Sequence, residues 1–394
     1  MPGPLDGLLV VDLTRALAGP HATMTMGDLG ARVIKVEPLG GDDSRGWGPP
    51  FVGPDDDPVS TYYLSCNRNK ESVTADLRSE DGRGLLTGLV RRADVLVENY
   101  RPGVLDRLGF DVEALHELNP RLVILSITGF GHEGPESARP GYDQVAQGEA
   151  GLMSLTGQQG SPTRVGVPIA DLLAGLTGLI GVLSALHERE RTGRGTVVRT
   201  SLLASVVGAH AFQGTRWTVA GEVPAPVGNH HPTIAPYGLF RGADALVQIC
   251  VGNASQWQTF APLVGLDPTD GRFAGNGARV AHRDELTGLI EEALAGRPAQ
   301  TWLDAFAAAG IPAGRVRTLD QVYDWEQTRL QNLVMHVEHP LLGDVMLPGS
   351  PLRFEATDGS STADVPRGHP PMLGEHDDEV RAWLAQTDGG KDPS

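Results

Sequence analysis

The chain has 394 residues, 40% hydrophobic and 21% charged, which excludes a fibrous or disordered protein and exceeds what one hydrophobic core usually serves. Lys and Arg number 32 against 49 Asp and Glu, a formal net charge of -17, so no cationic excess is available to neutralise a nucleic-acid backbone. Met1-Pro-Gly-Pro-Leu-Asp6 lacks the basic and apolar parts of a secretory signal, and the two cysteines, Cys66 and Cys250, are too few for a disulfide framework; the expected setting is a reducing cytoplasm, off the membrane.

In chain order, Leu8–Leu13 is a short apolar run, Gly19–Ala31 a segment rich in Gly, Met, Ala and Leu, and Val33–Glu37 a second apolar run: strand, helix, strand. The pattern recurs. Ser79 can cap a helix through about Arg92 that leads into a strand at Asp94–Asn99, and a short helix at Val112–Leu118 leads into a strand at Leu122–Thr128. Such alternation predicts an α/β fold, with a Rossmann-like parallel sheet covered on both faces.

A longer helix beginning at Asp171 ends near Thr192-Gly-Arg-Gly195, and Val197–Leu203 follows as a strand or core segment. Its most apolar stretch, Leu172–Leu186, is interrupted by Gly175, Thr177, Gly178, Gly181 and Ser184 and falls short of the ~20 residues that span a bilayer, so it reads as a buried helix. Farther on, Pro224–Pro236 is a loop rich in Pro, Gly, Asn and His, Ala245–Val251 a strand, and 283–296 and 298–309 amphipathic helices. Residues 1–200 are thus expected to form a large domain, 201–226 a linker, 227–335 a smaller α+β domain, and 336–394 a segment returning to the large domain.

Gly129-Phe-Gly-His-Glu-Gly134 matches the dinucleotide-binding glycine pattern after a strand, but Pro135, Pro140 and Gly141 follow where a helix should open, so it reads as a turn. No nucleophile elbow, phosphate loop or zinc-binding His pair at helical spacing occurs, and neither a metal nor a prosthetic group is expected. The adjacent His230 and His231 cannot share one face of a helix; they read as a polar loop, with a pocket-lining role as the second reading.

Asp171 follows Gly166–Ala170 and opens an apolar helix, where free backbone N–H groups and the positive end of the helix dipole stabilise an anion. Plain N-capping is the more frequent explanation of such an aspartate on local sequence alone.

Many ordered segments change that balance: Val11-Asp-Leu-Thr14, Ala18-Gly-Pro20, Gly27-Asp-Leu-Gly30, Val33–Glu37, Asn67-Arg-Asn-Lys70, Val97-Glu-Asn99, Arg101-Pro-Gly103, Gly141-Tyr-Asp143, Thr192–Gly195, Gly310-Ile-Pro312 and Leu373-Gly-Glu-His376. Together they resemble, over nearly the whole chain, the class III CoA-transferases: the formyl-CoA, carnitine and succinyl-CoA:glutarate types, with α-methylacyl-CoA racemase as a cousin. The resemblance implies that Asp171 is the nucleophile, passing through a mixed anhydride and an aspartyl-CoA thioester. It implies CoA contacts at Leu17, Ala18, Ala75, Arg78, Asn99, Tyr100, Arg101, Arg107, Tyr142 and Asp143, with coenzyme A, an acyl-CoA and a free carboxylic acid as substrates. It further implies an interlocked homodimer, the connections near 201–226 and 355–370 supplying the crossovers. Two positions depart from the formyl-CoA transferase pattern: Arg15 replaces a histidine and Pro38 an arginine.

The racemase cousins carry Gly-His-Asp where this chain has Gly141-Tyr142-Asp143, and a phenol is a poor base at neutral pH, which favours transfer over racemisation. Gly41–Phe51, Ser60–Tyr63 and His231–Tyr237 look most like the succinyl-CoA:dicarboxylate subgroup, so a short dicarboxylate is the expected acceptor. A CoA-binding protein without turnover is the remaining alternative, and the retained Asp171 argues against it.

Overall fold

Six short segments with β-branched and aliphatic side chains on both faces are suited to the middle of a layered sheet. They are β1 (Leu9–Asp12), β2 (Arg32–Glu37), β3 (Lys70–Thr74), β4 (Val95–Glu98), β5 (Val123–Thr128) and β6 (Val197–Ser201). They pair in the order β3-β2-β1-β4-β5-β6, every neighbour parallel. The order reverses between β1 and β4, and ligands of open parallel sheets bind at such a switch point, beyond the carboxyl ends of the strands. The computed structural model describes residues 2–355, 357, 359, 361 and 367–388.

Alternation along the strands builds two cores. On one face Val10, Val95, Val97, Leu125 and Ile127 pack with Ala22 and Met26 of α1 (Ala18–Asp28) and Ala174 and Val182 of α5 (Ile169–Thr192). On the other, Val11, Ile34, Leu96 and Ile124 pack with Leu86 and Leu89 of α2 (Glu80–Val90), Leu115 of α3 (Val112–Leu118), and Val380 and Leu384 of α11 (Asp377–Asp388). Each buried aliphatic side chain contributes roughly 1.5–3 kcal/mol, so the sheet is the main stabilising element of this unit. Ser79 caps α2 as expected, its hydroxyl accepting from Gly82 N at 3.0 Å.

The run read as too short for a bilayer belongs to a helix, α5, of 24 residues. By length and composition it is apolar enough to cross a membrane, yet Ala170, Ala174, Leu179, Val182 and Ala185 lie in the first core. Gly175 is what brings it close: a Cβ there would stand 2.5 Å from the carbonyl oxygen of Ala18 in α1.

Where the sequence suggested a connection at 201–226, the chain forms α6 (Leu202–Gly208) and α7 (Ala211–Thr218). These helices belong to a first compact unit of residues 1–152, 165–220 and 326–394; a second comprises 153–164 and 221–325. The second unit holds the antiparallel strands β7 (Tyr237–Arg241), β8 (Leu246–Cys250) and β9 (Ala313–Arg315), and helices α8 (Ala254–Leu263), α9 (Arg283–Leu294) and α10 (Ala299–Ala308). Its core contains Trp257, Phe260, Trp302 and Phe306.

A hairpin of β10 (Val334–His339) and β11 (Gly343–Pro348) begins the return to the first unit. Of the connection expected at 355–370, residues 356, 358, 360 and 362–366 lie outside the described residues. The chain beyond it shields the edge strand β3: His376 N donates to Ser72 O at 3.0 Å, and Thr74 N to the Asp377 carboxylate at 2.6 Å.

Candidate active site

The turn after β1 rests on buried charges. Asp12 accepts from Thr14 N (2.8 Å) and the Thr23 hydroxyl (2.7 Å) and pairs with Lys70 at 2.9 Å. Lys35 donates to Thr14 O (2.7 Å) and pairs with Asp42 at 2.9 Å. Asp42 in turn accepts from the backbone N–H of Ala16 at 3.2 Å, a residue in the left-handed region at φ 66°. Burial would raise the Asp12 carboxyl, but Lys70 and Lys35 overcome it and hold the group well below its ordinary range. Burial likewise works against the charge of Lys35, and Asp12, Asp42 and Glu37 outweigh it. The result is a turn held at Ala16 by a hydrogen bond to a carboxylate that the buried Lys35 itself fixes in place.

The turn after β4 is tied to the same loop. The Asn99 side chain accepts from Arg15 N (2.9 Å) and donates to Arg15 O (2.8 Å). Tyr100 N donates to Glu98 at 2.8 Å, and the Arg15 guanidinium lies 5.5 Å from the Tyr100 ring centroid. Ser126 of β5 donates to the other Glu98 oxygen and contacts His132 Nε2 at 2.8 Å. His132 sits within Gly129–Gly134, which forms no helix, as Pro135 and Pro140 beyond it implied. A Cβ on Gly129 would stand 2.9 Å from the Gly141 Cα, so this loop lets the Gly141–Tyr142 segment come close.

Asp171 is not the cap of α5. It is the third residue of that helix, whose cap position is Pro168. The capping carboxylate comes from Asp143, the first residue of α4 (Asp143–Glu149): its Oδ1 accepts from Ala170 N at 2.8 Å and Asp171 N at 3.5 Å, and Oδ2 from Gln147 at 2.7 Å. The half-buried carboxyl of Asp171 is pushed up to about 7, by burial first and the Asp143 charge second. Asp171 therefore lines a cleft with a raised carboxyl while Asp143 does the capping.

Of the eleven expected site residues, nine fall into two clefts of the first unit. Ala18, Asn99, Tyr100, Arg101, Tyr142 and Asp171 line a cavity of about 200 Å³. Ala75, Arg78, Tyr100 and Arg107 line another of about 610 Å³, together with the departing positions Arg15 and Pro38. Tyr100 is common to both. Leu17 and Asp143 line neither: Leu17 is buried with Met24 and Cys66, and Asp143 serves α5.

Sequence reasoning gave no role to Tyr62. It stands edge-on to Trp47, ring centroids 4.9 Å apart, and Trp47 lies 6.4 Å from Tyr142. Burial and then the Asp171 charge raise the Tyr62 phenol above its ordinary range, which puts it in the electrostatic neighbourhood of the carboxyl. Among the described residues, no three His, Cys, Asp or Glu side chains are grouped to hold a metal.

A doubly wound α/β unit, with clefts beyond the carboxyl ends of its strands and an aspartate with a raised carboxyl lining one of them, has the form in which open parallel sheets bind ligands. More particularly, the sequence matches CoA-transferase family III over residues 5–377, and the chain belongs to that family. It is 41% identical over 361 residues to an acetyl-CoA:oxalate CoA-transferase of Acetobacter aceti, covering 90% of each chain. It is 37% identical over 377 residues to the human succinyl-CoA:glutarate CoA-transferase, covering 95% of this chain and 84% of the relative. A crystal structure of a CAIB/BAIF family protein from Brucella suis superposes with a TM-score of 0.86 at 40% identity, over 98% of this chain and 100% of that one.

Proposed function

We propose that this chain is a CoA-transferase that moves CoA from an acyl-CoA donor, with succinyl-CoA as the first candidate, to a short free dicarboxylate through Asp171. The observation that carries the reading is the Asp171 carboxyl, raised to about 7, in a cleft that shares Tyr100 with a second, arginine-bearing cleft. Arg15, Arg78 and Arg107 supply guanidinium groups suited to the phosphates of CoA, and the smaller cleft suits its thioester end. Relatives named for succinyl-CoA with glutarate or mesaconate, and for acetyl-CoA with oxalate, support a dicarboxylate.

The chemistry follows from the nucleophile. An Asp171 oxygen attacks the thioester carbonyl carbon, the C–S bond breaks, and a mixed anhydride and CoA thiolate result. The thiolate attacks the Asp171 carbonyl, expelling the donor's carboxylate and leaving an aspartyl-CoA thioester. The acceptor carboxylate then attacks that carbonyl, releasing thiolate, which takes the acyl group from the new anhydride and frees Asp171. Each anhydride is prone to hydrolysis, so a half-buried nucleophile in a small cavity favours transfer over loss to water. The N–H of Ala170 is engaged by Asp143, which leaves stabilisation of the tetrahedral oxyanion to other donors.

Leu176, Ile180 and Leu183 of α5 are 43%, 66% and 36% exposed and stand at i, i+4 and i+7, one apolar stripe that a second copy in a homodimer would cover. Two free cysteines fit a cytoplasmic setting. Incubation with succinyl-CoA and a panel of free acids, with the CoA esters read by mass spectrometry, tests the activity: a new dicarboxylyl-CoA is expected, and hydrolysis without a new ester refutes transfer.

A further inference from the structure

Glu98 ends β4 as a buried carboxylate, 8% exposed. Burial pushes its carboxyl up, and the bonds from Ser126 and Tyr100 oppose this without reversing it. A buried carboxylate is costly unless its oxygens are bonded, so the donors it keeps are firmly held. Each oxygen takes a donor from a different strand end. Oε2 accepts from Tyr100 N at 2.8 Å, and Oε1 accepts from the hydroxyl of Ser126, its register partner on β5.

Ser126 Oγ also lies 2.8 Å from His132 Nε2. Because the hydroxyl hydrogen goes to the carboxylate, the imidazole must be the donor in that second bond. Burial and then the Arg199 charge lower the His132 imidazole below its ordinary 6.5, so at pH 8 it is neutral, with its proton on Nε2. Tyr100, Glu98, Ser126 and His132 thus form one chain of hydrogen bonds with a fixed direction.

This chain joins two walls of one cavity. Tyr100 comes from the turn after β4 and Gly129 from the turn after β5, and both line the cavity that Asp171 lines. The loop beginning at Gly129 is fastened at three places: Gly129 O accepts from Leu203 N at 3.1 Å, Gly131 N donates to the Thr128 hydroxyl at 3.0 Å, and His132 donates to Ser126. A shift of this loop would reach Gly141, since the two glycines stand too close to admit a Cβ, and Gly141 and Tyr142 line the same cavity. Every residue in the argument except Leu203 lies within residues 98–171, and all belong to the first unit.

We propose that Glu98 is a positioning residue of the transfer reaction: by holding Tyr100 directly, and the Gly129–Gly134 loop through Ser126 and His132, it keeps the Asp171 cavity at the width of a thioester and closed to water. The inference rests on the transferase reading above and adds to it the group that sets the shape of the reacting site without touching the substrate. A cavity with a loosened wall still admits acyl-CoA, but it exposes the anhydride to hydrolysis.

The test uses the full-length enzyme with succinyl-CoA as donor and glutarate as acceptor, and reads the ratio of hydrolysed to transferred ester, which does not depend on how much of the protein is active. Glu98→Ala is expected to raise this ratio about tenfold and KM for succinyl-CoA about fivefold. Glu98→Gln, whose amide can accept from Tyr100 N and donate to the Ser126 hydroxyl, should stay within about threefold of wild type on both counts. An unchanged ratio in Glu98→Ala, or a Glu98→Gln no better than Glu98→Ala, overturns the proposal. Should Glu98→Ala fail to fold, Ser126→Ala and the wild-type protein labelled with ¹⁵N-histidine decide. Ser126→Ala should raise the ratio about threefold, and the His132 resonances at pH 8 should be those of the Nε2–H tautomer. An unmoved ratio, or the opposite tautomer, which would put the Ser126 hydrogen on the imidazole and break the chain, overturns the proposal. A wild-type enzyme that transfers CoA to no acid defeats the transferase reading itself; normal wild-type transfer with a ratio indifferent to Glu98 and Ser126 defeats this inference alone.

Discussion

The Oδ1 of Asp143 accepts the N–H of Ala170 at 2.8 Å and lies 3.5 Å from the N–H of Asp171, so one carboxylate caps the helix that presents the other. The arrangement divides two tasks that local sequence would have given to one residue. Asp143 satisfies the helix terminus and, by its charge, makes Asp171 harder to ionise.

Replacing Asp171 with Asn should reduce transfer by roughly 10³-fold or more while CoA binding persists. The same change should stabilise the fold. The folded carboxyl titrates near 7 against an ordinary 3.8, so between those values the native state binds more protons and wild-type stability falls as pH rises. Asn does not titrate, and above pH 7 the variant should be more stable by roughly 1–3 kcal/mol. Urea unfolding at pH 4.5, 6 and 8 checks this: the gap should widen with pH and then level off.

For the wild type, kcat/KM for the donor should fall as pH drops through about 7, because a protonated carboxyl is not a nucleophile. Asp143→Asn keeps an acceptor for the Ala170 N–H but removes the repulsion, so the acid limb should move to lower pH. Asp143→Ala should show the same shift and also lose roughly 1 kcal/mol of stability with the cap. Activity profiles from pH 5 to 9 distinguish them; an unmoved limb in both variants would show that burial alone sets the ionisation.

Lys70→Met should destabilise the protein by roughly 3–5 kcal/mol, since it leaves the buried Asp12 with Lys35 as its remaining nearby cation. Adding Asp12→Leu should cost less than the sum of the single changes, which a double-mutant cycle in urea measures directly.

In deuterated water with a chiral 2-methylacyl-CoA, the ester should remain unlabelled on the timescale of transfer. Tyr142, 63% exposed, stands where an imidazole base would be needed, and attack at the thioester carbonyl leaves the α-carbon untouched. Rapid incorporation that disappears in Asp171→Asn would favour racemisation.

Sedimentation of the wild type should show a dimer that persists at nanomolar concentration. Because interlocked subunits part only by unfolding, Ile180→Asp, in the middle of the exposed stripe on α5, should lower the urea midpoint of the dimer without releasing a folded monomer; a folded, active wild-type monomer would refute the assembly.

Hydrophobic periodicity by itself determined five of the six sheet strands, the helices α1, α2, α3 and α5 and the parallel α/β arrangement, because those signals are local: apolar runs and a Ser79 cap. Asp171 was also legible, by its place at the start of an apolar helix and by resemblance. The sixth strand, Lys70–Thr74, was not, because its buried Lys70 looks like a surface residue until Asp12, fifty-eight positions away in the chain, is found beside it. Asp143 as the cap of α5, Asn99 as the tie to Arg15, and Tyr62 beside Asp171 are in the same case. Only the tertiary structure decided these roles, since hydrogen bonds and charges act through space over a few ångström, and which distant residues meet at that range is set by the packing of the whole sheet.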